Sequence, residues 1–184
     1  MPITQLDSHV ALVVIDLQKG IVEMATVHPV REIIAKSAMI ARAFRERGLP
    51  VVLVNVTGSA PGRTDVSRPN VAFPADWTEL VPELEQRASD VLVSKQRWGA
   101  FLGTQLDEIL RAHGVTQIVL TGVATSIGVE STARSAFDLG YSVAIVTDAI
   151  TDRDADAHRH AVEKIFPRLG QTCNAEAVLQ HLPK

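Results

Sequence analysis

Cysteine is almost missing from this chain: Cys173 is the only one in 184 residues. One thiol excludes an internal disulfide and a cysteine-rich zinc site. Long apolar runs are missing too. The longest, VALVVI at 10–15, falls far short of the roughly 20 residues that span a bilayer. No strong charge of one sign is present either, since the net charge is −3. Nucleic acid and membrane are therefore not expected as partners. The opening MPITQLDSHV has neither the basic nor the apolar region of a signal peptide, which leaves the cytoplasm as the expected compartment. His158 and His160 are two apart on an expected helix, whereas metal-binding pairs prefer three or four. No metal and no cofactor is expected.

What remains is an ordinary globular composition, 46% hydrophobic and 21% charged. A chain of this length buries roughly 70% of its unfolded surface and can build a full core. Residues 1–184 are read as one domain.

Five apolar, β-rich runs recur at 10–16, 50–56, 90–95, 116–122 and 141–148, with a last short one at 171–173. They do not alternate with polar residues, as expected of strands covered on both faces. Helical patterns lie between them. Pro29 opens one that carries Ile33, Ile34, Ala41 and Phe44 and stops at Gly48. Thr104 precedes another, ended by Gly114, a third follows Thr125 and Ser126, and a fourth starts near Asp154. A helix over 174–182 closes the chain. The alternation predicts an α/β three-layer sandwich with a doubly wound parallel sheet. Residues 57–77, TGSAPGRTDVSRPNVAFPADW, are expected to be a long loop. Its Arg63 and Arg68 could meet an acidic substrate or a second subunit, but a solvated loop is the plainer reading.

Ligands of such sheets bind beyond the carboxyl ends of the strands. Three polar features fall there: Asp16 in VVIDLQKG, Lys95 in VSKQRWGAF, and the junction TGVATSIG at 121–128. A carboxylate, an ammonium group and a helix N-terminus in one crevice form a catalytic arrangement. The alternative is a structural ion pair at the sheet rim. Gln18 and Asn55 end strands on the same side and could bind a polar substrate or tie down loops. Trp98 could wall the site or pack in the core. Ser126 and Thr125 fit helix capping better than nucleophilic attack, and Cys173 fits a buried filler.

The stretches VIDLQKG, SKQRWGAF and TGVATSIGVESTARSAFDLGYSVAIVTDAITD resemble, in order and spacing, the isochorismatase-like hydrolases, also called cysteine hydrolases. The resemblance covers nearly the whole chain. It implies a six-stranded parallel sheet, a small-molecule substrate and a homodimer or larger assembly. In the cysteine-dependent members an Asp–Lys–Cys triad cleaves C–N bonds through a thioester. Asp16 and Lys95 match the first two, and Gly128 stands where the cysteine is expected. Isochorismatases proper also carry glycine there and hydrolyse a vinyl ether, with the aspartate as proton donor.

Three explanations of Gly128 follow: catalysis without a covalent intermediate, loss of catalysis in a binding or scaffold protein, or replacement of a native cysteine. Trp98, Ala124, Thr125 and Ser126 are candidate substrate contacts, and the resemblance further implies a cis peptide at Val123–Ala124. The histidine that nicotinamidase relatives carry after the second strand is missing from VNVTGSAPG, which disfavours that activity.

Overall fold

Alternate residues of one strand feed opposite faces of a sheet. In strand β1 (Val10–Ile15), Val10, Leu12 and Val14 join one apolar cluster, and Ala11, Val13 and Ile15 join the other. That division explains why the strand is apolar throughout. A computed structural model of the chain describes residues 3–66 and 73–183, so Arg68 lies outside the described residues.

After a single turn, α1 (Lys19–Val22), comes helix α2 (Val30–Glu46), which buries Ile33, Ile34, Ile40, Ala41 and Phe44. It stops where Gly48 adopts φ +66. The chain continues through β2 (Val51–Val56), β3 (Val91–Lys95), α3 (Leu106–Ala112), β4 (Gln117–Val123) and α4 (Glu130–Asp138). Then follow β5 (Ser142–Thr151), α5 (Ala155–His160), α6 (Phe166–Leu169), β6 (Gln171–Cys173) and α7 (Ala175–His181). All six strands are parallel, in the order β3-β2-β1-β4-β5-β6. Helices α2 and α7 cover one face, and α3, α4 and α6 the other. The predicted three-layer α/β sandwich is the observed fold. Among the described residues no helix is long and apolar enough to cross a membrane.

The strand order reverses between β1 and β4, and this switch point opens the crevice that α/β sheets use for ligands. The two strands approach so closely there that a Cβ on Gly122 (φ +116) would lie 2.0 Å from the Ile15 carbonyl oxygen. Only glycine fits.

Strand β5 is longer than the expected run of 141–148. Its register against β4 slips from Leu120↔Ile145 to Gly122↔Ile150. The irregularity lets pairing resume beyond Asp148, and no hydrophobic pattern encodes such a slip. It also brings Asp152 to the top of the sheet. The described part of the long loop has little regular structure, as expected, and Arg63 is exposed in it.

Candidate active site

Asp16 follows the last residue of β1 and turns out of the strand with φ +51. Aspartate tolerates this left-handed conformation better than most residues. Its carboxylate reaches the space above the β1/β4 switch point. Lys95 ends β3, two strands away, so its ammonium must cross the end of β2, a span of about 10 Å at ordinary strand spacing. The four-carbon stem makes that reach possible. Lys95 Nζ donates to Asp16 Oδ2 at 2.7 Å and to the Arg97 carbonyl at 3.1 Å. Both side chains are buried, 8% and 2% exposed, so the pair is deep in the crevice rather than on the sheet rim.

Asp16 Oδ1 is also buried, and has no hydrogen-bond partner among the described residues. Burial outweighs the attraction of Lys95 and pushes the Asp16 carboxyl up from 3.8 to about 6. A carboxyl at that value can exchange a proton near neutral pH, as general acid–base chemistry requires.

The floor is completed by the junction after β4. The Val123–Ala124 peptide is cis, as the resemblance implies. A π-type turn, Thr125–Val129, then leads into α4. A Cβ built on Gly128 would lie 3.2 Å from Asp16 Oδ2 and 2.9 Å from Ile15 Cγ2. The missing side chain is thus what lets the carboxylate lie against this turn. Asp16, Lys95, Trp98, Ala124 and Gly128 line one cavity of about 240 Å³. Ile21, Met24 and Ile127 give it apolar walls. Trp98 is 65% exposed, so it walls the cavity rather than packing in the core.

Four expected substrate contacts lie elsewhere. Gln18 is fully buried; its amide accepts from Val56 N at 2.7 Å and donates to the carbonyls of Val56 and Trp77, each at 3.1 Å. Asn55 donates to the Thr78 carbonyl at 2.8 Å and accepts from Ser94 Oγ at 2.7 Å. Both amides help to hold the segment around residues 77–78 against the sheet. Thr125 is buried, with its hydroxyl 2.9 Å from His158 Nδ1. Ser126 makes no side-chain capping bond among the described residues; its own N–H donates to Asp152 Oδ2 at 2.6 Å. Cys173 is buried on the edge strand β6, and burial pushes its thiol up to about 12, so it is no nucleophile.

Two supporting residues escaped the sequence reading. Asp152 holds Ser126 N with one oxygen and Arg153 N, at 2.7 Å, with the other. Thr132 Oγ1 accepts from Ala100 N at 3.1 Å and donates to the Gly128 carbonyl at 2.7 Å, joining the Trp98 segment to the turn. One weak signal existed for Thr132: it lies one helical turn after Gly128, on the same face.

A doubly wound sheet with a buried acid–ammonium pair above its switch point has the construction of a small-molecule enzyme. The isochorismatase domain model matches residues 10–177. The isochorismatase family protein YecD of Escherichia coli O157:H7 is 38% identical over 179 residues, covering 94% of this chain and 95% of that protein. The ureidoacrylate amidohydrolase RutB of Stutzerimonas stutzeri is 32% identical over 210 residues, covering 97% and 85%. The structure of an isochorismatase family protein from Burkholderia thailandensis superposes with a TM-score of 0.93 at 43% identity, covering 97% of each chain. The chain belongs to the isochorismatase family of hydrolases.

Proposed function

We propose that this hydrolase cleaves a small polar metabolite, at a vinyl ether or a C–N bond, by direct attack of water. Asp16 is the general acid or base, Lys95 its electrostatic partner, and the 124–128 backbone the stabiliser of negative charge. Gly128 replaces the nucleophilic cysteine of the thioester-forming relatives, and its bare backbone leaves room for substrate or water beside the carboxyl group. In the vinyl ether case Asp16 gives its proton to the terminal carbon. Water then adds to the resulting oxocarbenium carbon and gives up a proton to Asp16, and the neutral hemiketal breaks down to a ketone and an alcohol. In the C–N case the Asp16 carboxylate takes a proton from the attacking water and passes it to the leaving nitrogen. Each route consumes one water and returns Asp16 to its starting state.

The observation that carries this reading is the Asp16 carboxyl: buried, raised to about 6, paired with Lys95 on one oxygen and unpartnered on the other. A structural ion pair has no need of a buried acceptor left without a partner, because an unsatisfied buried oxygen costs roughly 1–3 kcal/mol.

The test is a turnover panel of vinyl ethers, amides and ureido compounds, run with wild type and Asp16→Asn. The expected result is hydrolysis of at least one class, lost in Asp16→Asn. Unchanged turnover in that variant would remove Asp16 from the mechanism. Ligand binding without turnover across the whole panel would make the protein a binding or scaffold member.

A further inference from the structure

The turn at 125–129 is gripped from one side by the connection between β5 and α5. Asp152, the first residue after β5, accepts from Ser126 N at 2.6 Å. Two residues later Asp154 caps α5, accepting from Asp156 N at 2.8 Å and Ala157 N at 2.9 Å. That cap fixes the start of the helix and brings His158 over the turn. His158 Nδ1 lies 2.9 Å from the hydroxyl oxygen of Thr125, a residue with no exposed surface. One connection thus holds two consecutive residues of the turn, Ser126 by its backbone and Thr125 by its side chain.

The imidazole is itself braced. His28 packs against it edge to face, with ring centroids 4.7 Å apart and an interplanar angle of 61°. Thr151 fixes His28 in turn: its hydroxyl oxygen accepts from His28 N at 3.1 Å and lies 3.1 Å from His28 Nδ1. Burial and, after it, the facing His28 hold the His158 ring below its ordinary value, against a weaker pull from Asp152. At neutral pH the ring is therefore an uncharged hydrogen-bonding group, the kind a carboxamide can imitate. Next to Thr125, the Ala124 carbonyl accepts from Ile127 N at 3.2 Å and from Val129 N at 3.1 Å. A Thr125 released to seek another partner would disturb those bonds, and a shift of about 1 Å beside reacting atoms can cost roughly a hundredfold in rate.

We infer that His158 is a positioning residue of the active site: by holding Thr125 it keeps the 125–129 turn in the conformation the reaction uses. This rests on the turn belonging to the reaction site, as proposed above. His158 lies outside the cavity lining, so it acts through Thr125 and not on the substrate.

The experiment compares wild type with His158→Leu, His158→Asn, Thr125→Val and the double variant of His158→Leu with Thr125→Val. Amide hydrogen exchange, followed by NMR, reads the turn without any substrate. In His158→Leu and in Thr125→Val, exchange at Ile127 and Val129 should speed up at least about tenfold more than at Ile40 in the core of α2. His158→Asn should stay near wild type. On whichever compound of the turnover panel is hydrolysed, each of the two disruptive single variants should lose about tenfold in kcat with KM little changed, and the double variant no more than either. His158→Asn should restore most of the rate. Equal acceleration at Ile40 and the turn, no acceleration at the turn, additive losses in the double variant, or an asparagine variant as poor as leucine would overturn the inference. Should His158→Leu fail to fold, Thr125→Val decides, since it removes the same bond from the other side. A turn loosened in this way in a protein that hydrolyses nothing on the panel would keep the positioning of the turn and sink the proposed reaction; hydrolysis that depends on Asp16 but not on His158 would do the reverse.

Discussion

The carboxylate of Asp16 lies 3.2 Å from the point where a side chain at Gly128 would begin. The two positions are 112 residues apart in sequence, yet one determines what the other can do. With glycine, the acid meets backbone; with any other residue it meets a carbon atom.

Gly128→Ala therefore pits helix preference against packing. Alanine is favoured over glycine in a helix by about 1 kcal/mol. The new methyl would be forced against Ile15 Cγ2, and overpacking of this kind costs about 1–3 kcal/mol. Packing should win, giving a lower midpoint in urea unfolding and at least about a tenfold loss of kcat/KM, roughly 1.4 kcal/mol in the barrier. A variant more stable than wild type, with full activity, would show that the space beside Asp16 is not used.

Protonation of Asp16 should be visible in both activity and stability. The kcat/KM profile should bend near pH 6. Activity falling through that point as pH rises marks Asp16 as proton donor, hence vinyl ether chemistry; activity rising marks it as base, hence C–N chemistry. A profile flat from pH 5 to 8 would exclude both. For stability, the folded carboxyl is raised above its ordinary 3.8 by burial. Between about 4 and 6 the folded chain keeps a proton that the unfolded chain has lost, so stability falls as pH rises through this window. The difference in unfolding free energy, wild type minus Asp16→Asn, should accordingly shrink between pH 5 and 7.5. Lys95 pulls the Asp16 value down, so Lys95→Met should move the kinetic bend above pH 6.

Thr132 is a buried bridge between the Trp98 segment and the turn. Thr132→Val keeps the shape and removes the hydroxyl, leaving Ala100 N and the Gly128 carbonyl without this partner. The expected cost is about 1–3 kcal/mol of stability. KM should rise more than kcat falls, because the bridge positions the Trp98 wall of the cavity, whereas the acid–ammonium pair is held by its own hydrogen bond. Unfolding midpoints and initial-rate kinetics check both parts; a loss confined to kcat would contradict this role.

Much of the architecture could be read from the chain alone. Runs such as VALVVI, apolar on both alternating faces, indicate a covered parallel strand, and the spacing of Ile33, Ile34, Ala41 and Phe44 indicates the helix above it. The ends of those strands pointed to Asp16, Lys95 and the 121–128 junction. These features were legible because hydrophobic periodicity and strand ends are local properties of a sequence.

Partnership was not legible, because it depends on which surfaces the fold brings together. Gln18 and Asn55 end strands on the crevice side, yet tertiary contacts spend both amides on the backbone around 77–78. Asp152 and Arg153 reach the site only because β5 slips register against β4 and resumes pairing. Composition and pattern thus determined the sheet, its layers and the acid that ends β1. The third dimension decided how deeply that acid is buried and which of its oxygens is left without a partner, because desolvation and hydrogen bonding are set by neighbours far away along the chain.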